Sequence, residues 1–268
     1  MKSSSQLLSI IALTLGLVSA AVFGSNAKAA KTMTVNYVST SGQTLRAPIT
    51  YTRISNGINA FGTTYTYTTS GYPATKSGYV KTIKGYLPHK IQQNYTYASM
   101  PSSLTVKYIK ESTLARKVDT QYMKQINAYR LMKGLKAFKH RSSLKAKTIV
   151  RSKELWTKLS HVRPNGQSYN ASGSGYAECM AVLPTYFTPY GITTYNSGQG
   201  AILVYNSNGY VSYKKTAQTA SHELLTCDAE HRDTELNNWA TYSEVAFSFH
   251  ADGSAKMAQL FELAGAKE

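Results

Sequence analysis

The chain has 268 residues, with 30 Lys and Arg against 13 Asp and Glu and a formal charge of +17. Two cysteines among 268 residues are too few for a disulfide-built scaffold, and the excess of cations directs attention to anionic polymers and surfaces. Nothing resembles a nucleic-acid-binding motif, so a specific nucleic-acid partner is not expected.

The first residues read as an export signal, with Lys2 as the positive end, an apolar run over residues 7–22 and Ala27-Lys28-Ala29 as a small-residue cleavage pattern. Removal of residues 1–29 takes away Lys2 and Lys28 and leaves +15. The apolar run is short for a bilayer span, and no second long apolar segment follows, so no transmembrane anchor is expected. These features point to a chain outside the cell, or held noncovalently on a cell surface. In such an oxidising compartment the pair Cys179 and Cys227 reads as one disulfide, two separate buried thiols being the alternative.

Residues 30–110 read as a first, β-rich domain. Residues 31–110 contain nine Lys and Arg and no acid. Tyr and Thr alternate with β-branched residues around Val35-Asn36-Tyr37-Val38, Tyr65-Thr66-Tyr67 and Thr105-Val106-Lys107-Tyr108, a period-two pattern that predicts strands. Ser41-Gly42, Asn56-Gly57 and Ser70-Gly71 supply turns. An opening Val-x-Tyr-Val strand, a Gly turn and a closing Thr-Val-x-Tyr strand resemble the mucin-binding-protein type repeats of lactic-acid bacteria. That resemblance implies a small β-grasp-like domain of the kind found on adhesins.

Residues 111–119 read as a linker, and residues 120–268 as a second domain. A helix capped by Asp119 or Thr120 and stopped at Gly134 is predicted, with Tyr122, Ile126 and Tyr129 on one face. Another follows over residues 143–160, with Ile149, Trp156 and Leu159 inward and Lys145, Lys147, Arg151 and Lys153 outward. Residues 181–215 read as a long Tyr-rich loop region around one core strand over residues 201–205. A short helix then starts near Thr216, and Val245, Phe247 and Phe249 alternate as a strand whose antiparallel partner is residues 256–261.

Three stretches stand apart: Ser160-His161-Val162-Arg163-Pro164-Asn165-Gly166, Gly175-Tyr176-Ala177-Glu178-Cys179, and residues 227–236, where carboxylates crowd around His231-Arg232. Their order and intervals resemble the CAP superfamily (cysteine-rich secretory proteins, antigen 5 and pathogenesis-related 1 proteins; the SCP domain). Gln125-Ile126-Asn127-Ala128-Tyr129-Arg130 is similar to its first helix, where Asn127 and Arg130 would have structural roles only. The resemblance implies an α+β fold, a three-layer α-β-α sandwich, preceded here by the β-rich domain. It also implies that His161, Glu178 and His231 line one groove. Two imidazoles with carboxylates make a ligand set for zinc or another divalent cation with an open position. The fourth ligand is ranked Asp228 first, one helical turn before His231, then Glu230, then Glu223. The pattern departs from the family in having Asp228-Ala229-Glu230 before His231-Arg232 and Cys179 after Glu178.

His89, His140 and His250 have no partner pattern and read as structural, and His222 beside Glu223 reads as a supporting neighbour. Ser160, Ser221 and Ser243 lack a Gly-x-Ser-x-Gly elbow. The expected function is binding to anionic glycans or wall polymers such as mucin glycans and teichoic acids, in adhesion or surface interaction. The alternative is a metal-dependent hydrolase of peptides or wall polymers with Glu178 as general base. Lipid or sterol carriage is a third reading.

Overall fold

A computed structural model describes residues 31–53, 66–69, 72–75, 79–90, 100–169, 175–183, 185–188, 191–194, 203–206 and 208–266. The expected signal segment lies outside them. Helices and strands are both well represented, in the mixed α+β class anticipated from the sequence.

The N-terminal half contains β1 (Lys31–Ser39), β2 (Thr44–Arg53), a separate hairpin of β3 (Thr66–Thr69) and β4 (Tyr72–Thr75), then β5 (Tyr86–Pro88) and β6 (Ser103–Lys110). The main sheet has the order β2-β1-β6-β5, with β1 and β6 parallel at its centre and the outer pairs antiparallel. Strand alternation decides what each residue does. Met33, Val35 and Tyr37 on β1 and Val106 and Tyr108 on β6 point inward and are buried with Tyr79, Val80 and Met100. Each such side chain contributes roughly 1.5–3 kcal/mol by leaving water. The buried Tyr108 hydroxyl is satisfied, donating to the Lys81 carbonyl at 2.7 Å and accepting from the Lys81 N–H at 2.9 Å.

The expected linker over residues 111–119 is helix. Strand β6 runs straight into α1 (Glu111–Met132), which ends at Gly134 with φ of 73°. The apolar stripe begins earlier than expected: Leu114 and Val118 extend the four-residue spacing of Tyr122 and Ile126, and no Gly or Pro interrupts 111–119. Asp119, expected as a cap, is therefore a buried mid-helix residue. Asn127 and Arg130 are structural, as expected. Asn127 exchanges hydrogen bonds with the Phe138 main chain, and Arg130 lies 3.6 Å over the Phe138 ring and donates to the carbonyls of Lys136 and Glu235.

The second half continues with α2 (Ser142–Thr157), β7 (Tyr176–Leu183), a hairpin of β8 (Thr185–Thr188) and β9 (Gly191–Thr194), α3 (Tyr213–Thr226), α4 (Ala229–Glu235), β10 (Tyr242–Phe249) and β11 (Ala255–Glu262). The antiparallel sheet β10-β11-β7 carries α2 on one face and α1 and α3 on the other. Phe247, Met257, Phe261, Cys179 and Ala181 alternate toward α1 and α3, whereas Glu178 and Ser248 face α2. The long region expected to be loop thus holds the β8–β9 hairpin. Leu203, Val204 and Tyr205 are buried there, although Tyr205 makes only an isolated bridge to Val211.

The inward stripe of α2 also differs from the expected one. Leu144, Thr148, Arg151, Ser152 and Leu155 are buried, while Ile149 and, beyond the helix end, Leu159 are exposed. A buried carboxylate outweighs the apolar count, because Arg151 turns inward to meet Glu178.

The two halves share a core. Leu87 and Ile109 of the first sheet pack within the same cluster as Leu114, Phe247 and Phe261. Tyr205 donates its hydroxyl to the Pro88 carbonyl at 2.7 Å, and the Val211 N–H reaches the His89 carbonyl at 3.1 Å. His89, edge-on to Tyr210, is part of this seam. Burial and the charges of Lys117 and Lys107 push its pKa down.

Edge strand β10 is closed by side chains. The Lys139 main chain covers Ser243, then the Asp119 carboxylate accepts the Phe247 N–H at 2.9 Å and Lys145 donates to the Val245 carbonyl, with Lys145 and Asp119 paired at 2.7 Å. The ion pair takes the place of a neighbouring strand at an otherwise open edge. Across the sheet, the buried Glu235 carboxyl accepts from the Tyr122 hydroxyl at 2.7 Å and from Gln259 Nε2 at 3.1 Å, tying α4 to α1 and β11.

Two outcomes are expected. Asp119→Ala strands the Lys145 ammonium beside the edge and lowers unfolding free energy by about 3 kcal/mol, read from urea denaturation at constant m-value. Burial raises the Glu235 pKa from 4.5 to about 7, so between these values the folded chain holds more protons than the unfolded one. This carboxyl's contribution is complete below about pH 4.5 and is lost as pH rises through about 7, a loss on the order of 3 kcal/mol. Glu235→Gln flattens that part of the stability–pH curve.

Candidate functional site

The loop after α2 is built to hold His161 against the sheet. Gly166, at φ of 86°, closes a tight turn in which the Gly166 N–H donates to the Arg163 carbonyl and the Arg163 N–H to the Gln167 carbonyl. Arg163 returns to α2 as a two-pronged pair with Glu154, at 2.9 and 2.8 Å, and those hydrogen bonds hold the Glu154 carboxyl below its ordinary range. Ser160 Oγ accepts the Val162 N–H at 3.1 Å.

Within this frame His161 Nδ1 lies 2.9 Å from Glu178 Oε2. The Glu178 side chain is fully buried, and so is Arg151, whose Nε meets Glu178 Oε1 and whose Nη2 reaches Oε2 at 3.3 Å and the Ser160 carbonyl. The family resemblance placed His161 and Glu178 in one groove together with His231. It missed Arg151, whose signal was its position on the helical stripe of Leu144, Thr148 and Leu155. Both Glu178 oxygens are engaged, and the carboxylate orients the imidazole.

His231 has a different acidic partner. Asp228 caps α4, its Oδ1 accepting the His231 N–H at 2.8 Å, and the imidazole Nδ1 sits 2.8–2.9 Å from both carboxylate oxygens. These bonds hold the Asp228 carboxyl below its usual range. Asp228 thus joins His231, as the one-turn spacing suggested, while Glu230 is exposed. Burial raises the pKa of Glu223, on α3, and opposing charge from His222 and His231 acts against that rise.

The four residues expected around one ion therefore form two pairs. Successive residues of β7 face opposite ways: Glu178 points to α2 and His161, and Cys179 to the layer of α1 and α3, where α4 is anchored through Glu235. Among the described residues the only group of three or more His, Cys, Asp or Glu with ligand atoms close enough for one ion is Cys227, Asp228 and His231. The family-type set of His161, Glu178, His231 and Asp228 does not fit a single cation here.

The expected Cys179–Cys227 disulfide is not formed, and both residues are free thiols. Cys179 is fixed in the core opposite Gln259, where burial pushes its thiol well up. Cys227 is exposed at the end of α3, its Sγ 3.6 Å from Asp228 Oδ2. The histidines without a partner pattern have structural surroundings: His140 pairs with Glu244, and His250 stacks on Trp156 at 3.5 Å.

Arg151→Met leaves the Glu178 carboxylate buried and unmatched, and an unfolding free-energy loss of about 3–5 kcal/mol is expected. His161→Ala, which keeps the Arg151 pair, costs much less. Equal losses in the two variants would show that the guanidinium is not the partner that matters.

No protein-family model matches the sequence, and no curated protein matches it.

Proposed function

We propose that the chain is a secreted, surface-associated protein that binds anionic glycans or wall polymers. In this reading a CAP-like α-β-α half is joined to a β-grasp-like half. The placement of α2 and α1 on opposite faces of β10-β11-β7 supports the first part, and the central parallel pair of β1 and β6 supports the second. No helix among the described residues is long and apolar enough to cross a membrane.

Charge distribution carries the proposal. Residues 31–110 have nine cations and no acid. In the other half, Asp119, Glu178, Glu235, Glu244 and Glu262 are buried, whereas Arg130 and Arg151 are the only Lys or Arg buried among the described residues. Folding hides more negative than positive charge, and the outer surface becomes more cationic than the composition alone implies. Several cations rest on tyrosine rings that are not fully buried: Lys81 on Tyr51, Lys90 on Tyr210 and Lys117 on Tyr213, at 4.7–5.6 Å. Such pairs offer an aromatic surface beside a fixed positive charge, suited to a sugar ring bearing a phosphate, sulfate or carboxylate.

The hydrolase alternative requires His161, Glu178, His231 and an acid around one metal. Their division into two pairs, with Glu178 held by Arg151, favours binding over metal-assisted hydrolysis at that set.

Binding of the full chain to immobilised teichoic acid or sialylated mucin is expected to fall at least about tenfold between about 0.1 M and about 1 M NaCl, as the screening length drops from ~10 to ~3 Å. Replacing the exposed Lys84, Lys107 and Lys110 together by Glu weakens binding at the lower salt. Salt-insensitive binding overturns the proposal.

A further inference from the structure

The junction of α3 and α4 combines, within five residues, a thiol, a carboxylate and an imidazole. One ligand atom each from Cys227, Asp228 and His231 lies within 4.8 Å of the others. The region is also the one acid-rich stretch of a basic chain, with Glu223, Asp228, Glu230, Asp233 and Glu235 all falling between residues 223 and 235. We propose that Cys227, Asp228 and His231 bind a single zinc-type divalent cation, as a Cys-Asp-x-x-His site separate from the His161–Glu178 pair.

Three arguments carry this inference. The first is geometry: zinc bonds of about 2.0–2.3 Å in tetrahedral array place neighbouring ligand atoms about 3.3–3.6 Å apart. The Asp228-to-His231 separation of 2.8–2.9 Å and the Cys227-to-Asp228 separation of 3.6 Å bracket that range, and Cys227 and His231 offer atoms within 4.8 Å of each other, so side-chain rotation brings the three onto one ion. The second is donor chemistry. A thiolate and an imidazole select a borderline metal such as zinc over calcium or magnesium, and thiolate plus carboxylate neutralise its two charges. The third is access: Cys227 and Asp228 are exposed and His231 half-buried, so the site opens to solvent and no core packing has to move. On loading, the Cys227 thiol proton goes to solvent and the imidazole hydrogen moves from Nδ1 to Nε2, freeing Nδ1 for the metal. Water, or the Glu223 carboxylate one turn back on α3, completes the fourth position.

This assignment gives Cys227 a use that a disulfide would abolish, so the two alternatives are separable. The full chain, purified under reducing conditions and freed of metal, is titrated with zinc sulfate against a chromophoric chelator and with cobalt(II) chloride. The expected result is one equivalent of zinc and a near-ultraviolet thiolate-to-cobalt absorption band. Cys227→Ser should lose that band, and Cys227→Ser, Asp228→Asn and His231→Ala should each weaken zinc binding at least about tenfold. Asp228→Asn retains a helix cap, and circular dichroism verifies the fold of all three. His161→Ala is expected to bind zinc like the parent. Absence of zinc binding, an unchanged affinity in Cys227→Ser, or loss of binding in His161→Ala would each overturn the site, and so would a parent chain whose Cys227 is unreactive to thiol reagents without reductant because it is bridged to Cys179.

Discussion

A carboxylate removed from water must be matched by charge or lose its proton, and Glu178 is matched by Arg151. The rest of the second half is arranged around that requirement. Arg151 turns inward on α2, which rotates Ile149 toward solvent and brings Thr148 and Ser152 into the interface. The same guanidinium reaches the Ser160 carbonyl and so fixes where the loop leaves the helix. His161 is delivered to the remaining side of Glu178 as a consequence of this clamp.

The alternation of β7 then separates what the family resemblance gathers. Adjacent positions 178 and 179 serve different layers, one polar and charge-matched, the other part of the core shared with Phe247 and Phe261. The acid-rich α3–α4 junction is anchored to the second layer through Glu235, and Asp228 supplies His231 with its own partner. A sheet one residue thick thus yields two polar sites with different chemistry: a buried carboxylate paired with a guanidinium and an imidazole, and a largely exposed thiol, carboxylate and imidazole set.

Much of the fold was legible from periodicity. The strands built on Val35 and Tyr37, on Val106 and Tyr108, and on Val245, Phe247 and Phe249 were readable because one face of each is buried and the period of two survives in sequence. The helices around Ile126 and Leu224 were readable for the corresponding reason at a period near four. Two things escaped. The start of α1 was hidden because Lys110 ends a strand and caps a helix at once, so no turn residue marks the change. The role of Arg151 was hidden because an arginine on an amphipathic helix is ordinarily a solvent residue, and only the three-dimensional position of a carboxylate 27 residues later reverses that rule. The resemblance placed His161, Glu178 and His231 in one groove, and the one-turn spacing joined Asp228 to His231. The separation of the two pairs was not anticipated, because strand facing depends on register against β11 and not on intervals along the chain.

The direct passage from β6 into α1, with Leu87 and Ile109 buried among residues of the second half, leaves no slack tether between the cationic sheet and the helical layers. Two modules on a loose string gain avidity only at the effective concentration that the string permits, and they forfeit ordering entropy on engagement. On the proposed reading, a polymer lying across both halves would meet charges whose mutual spacing is already set before contact. Recognition in that reading would depend on how closely the repeat of the polymer matches that spacing, and a stiff, regularly substituted chain would be favoured over a limp one of equal charge.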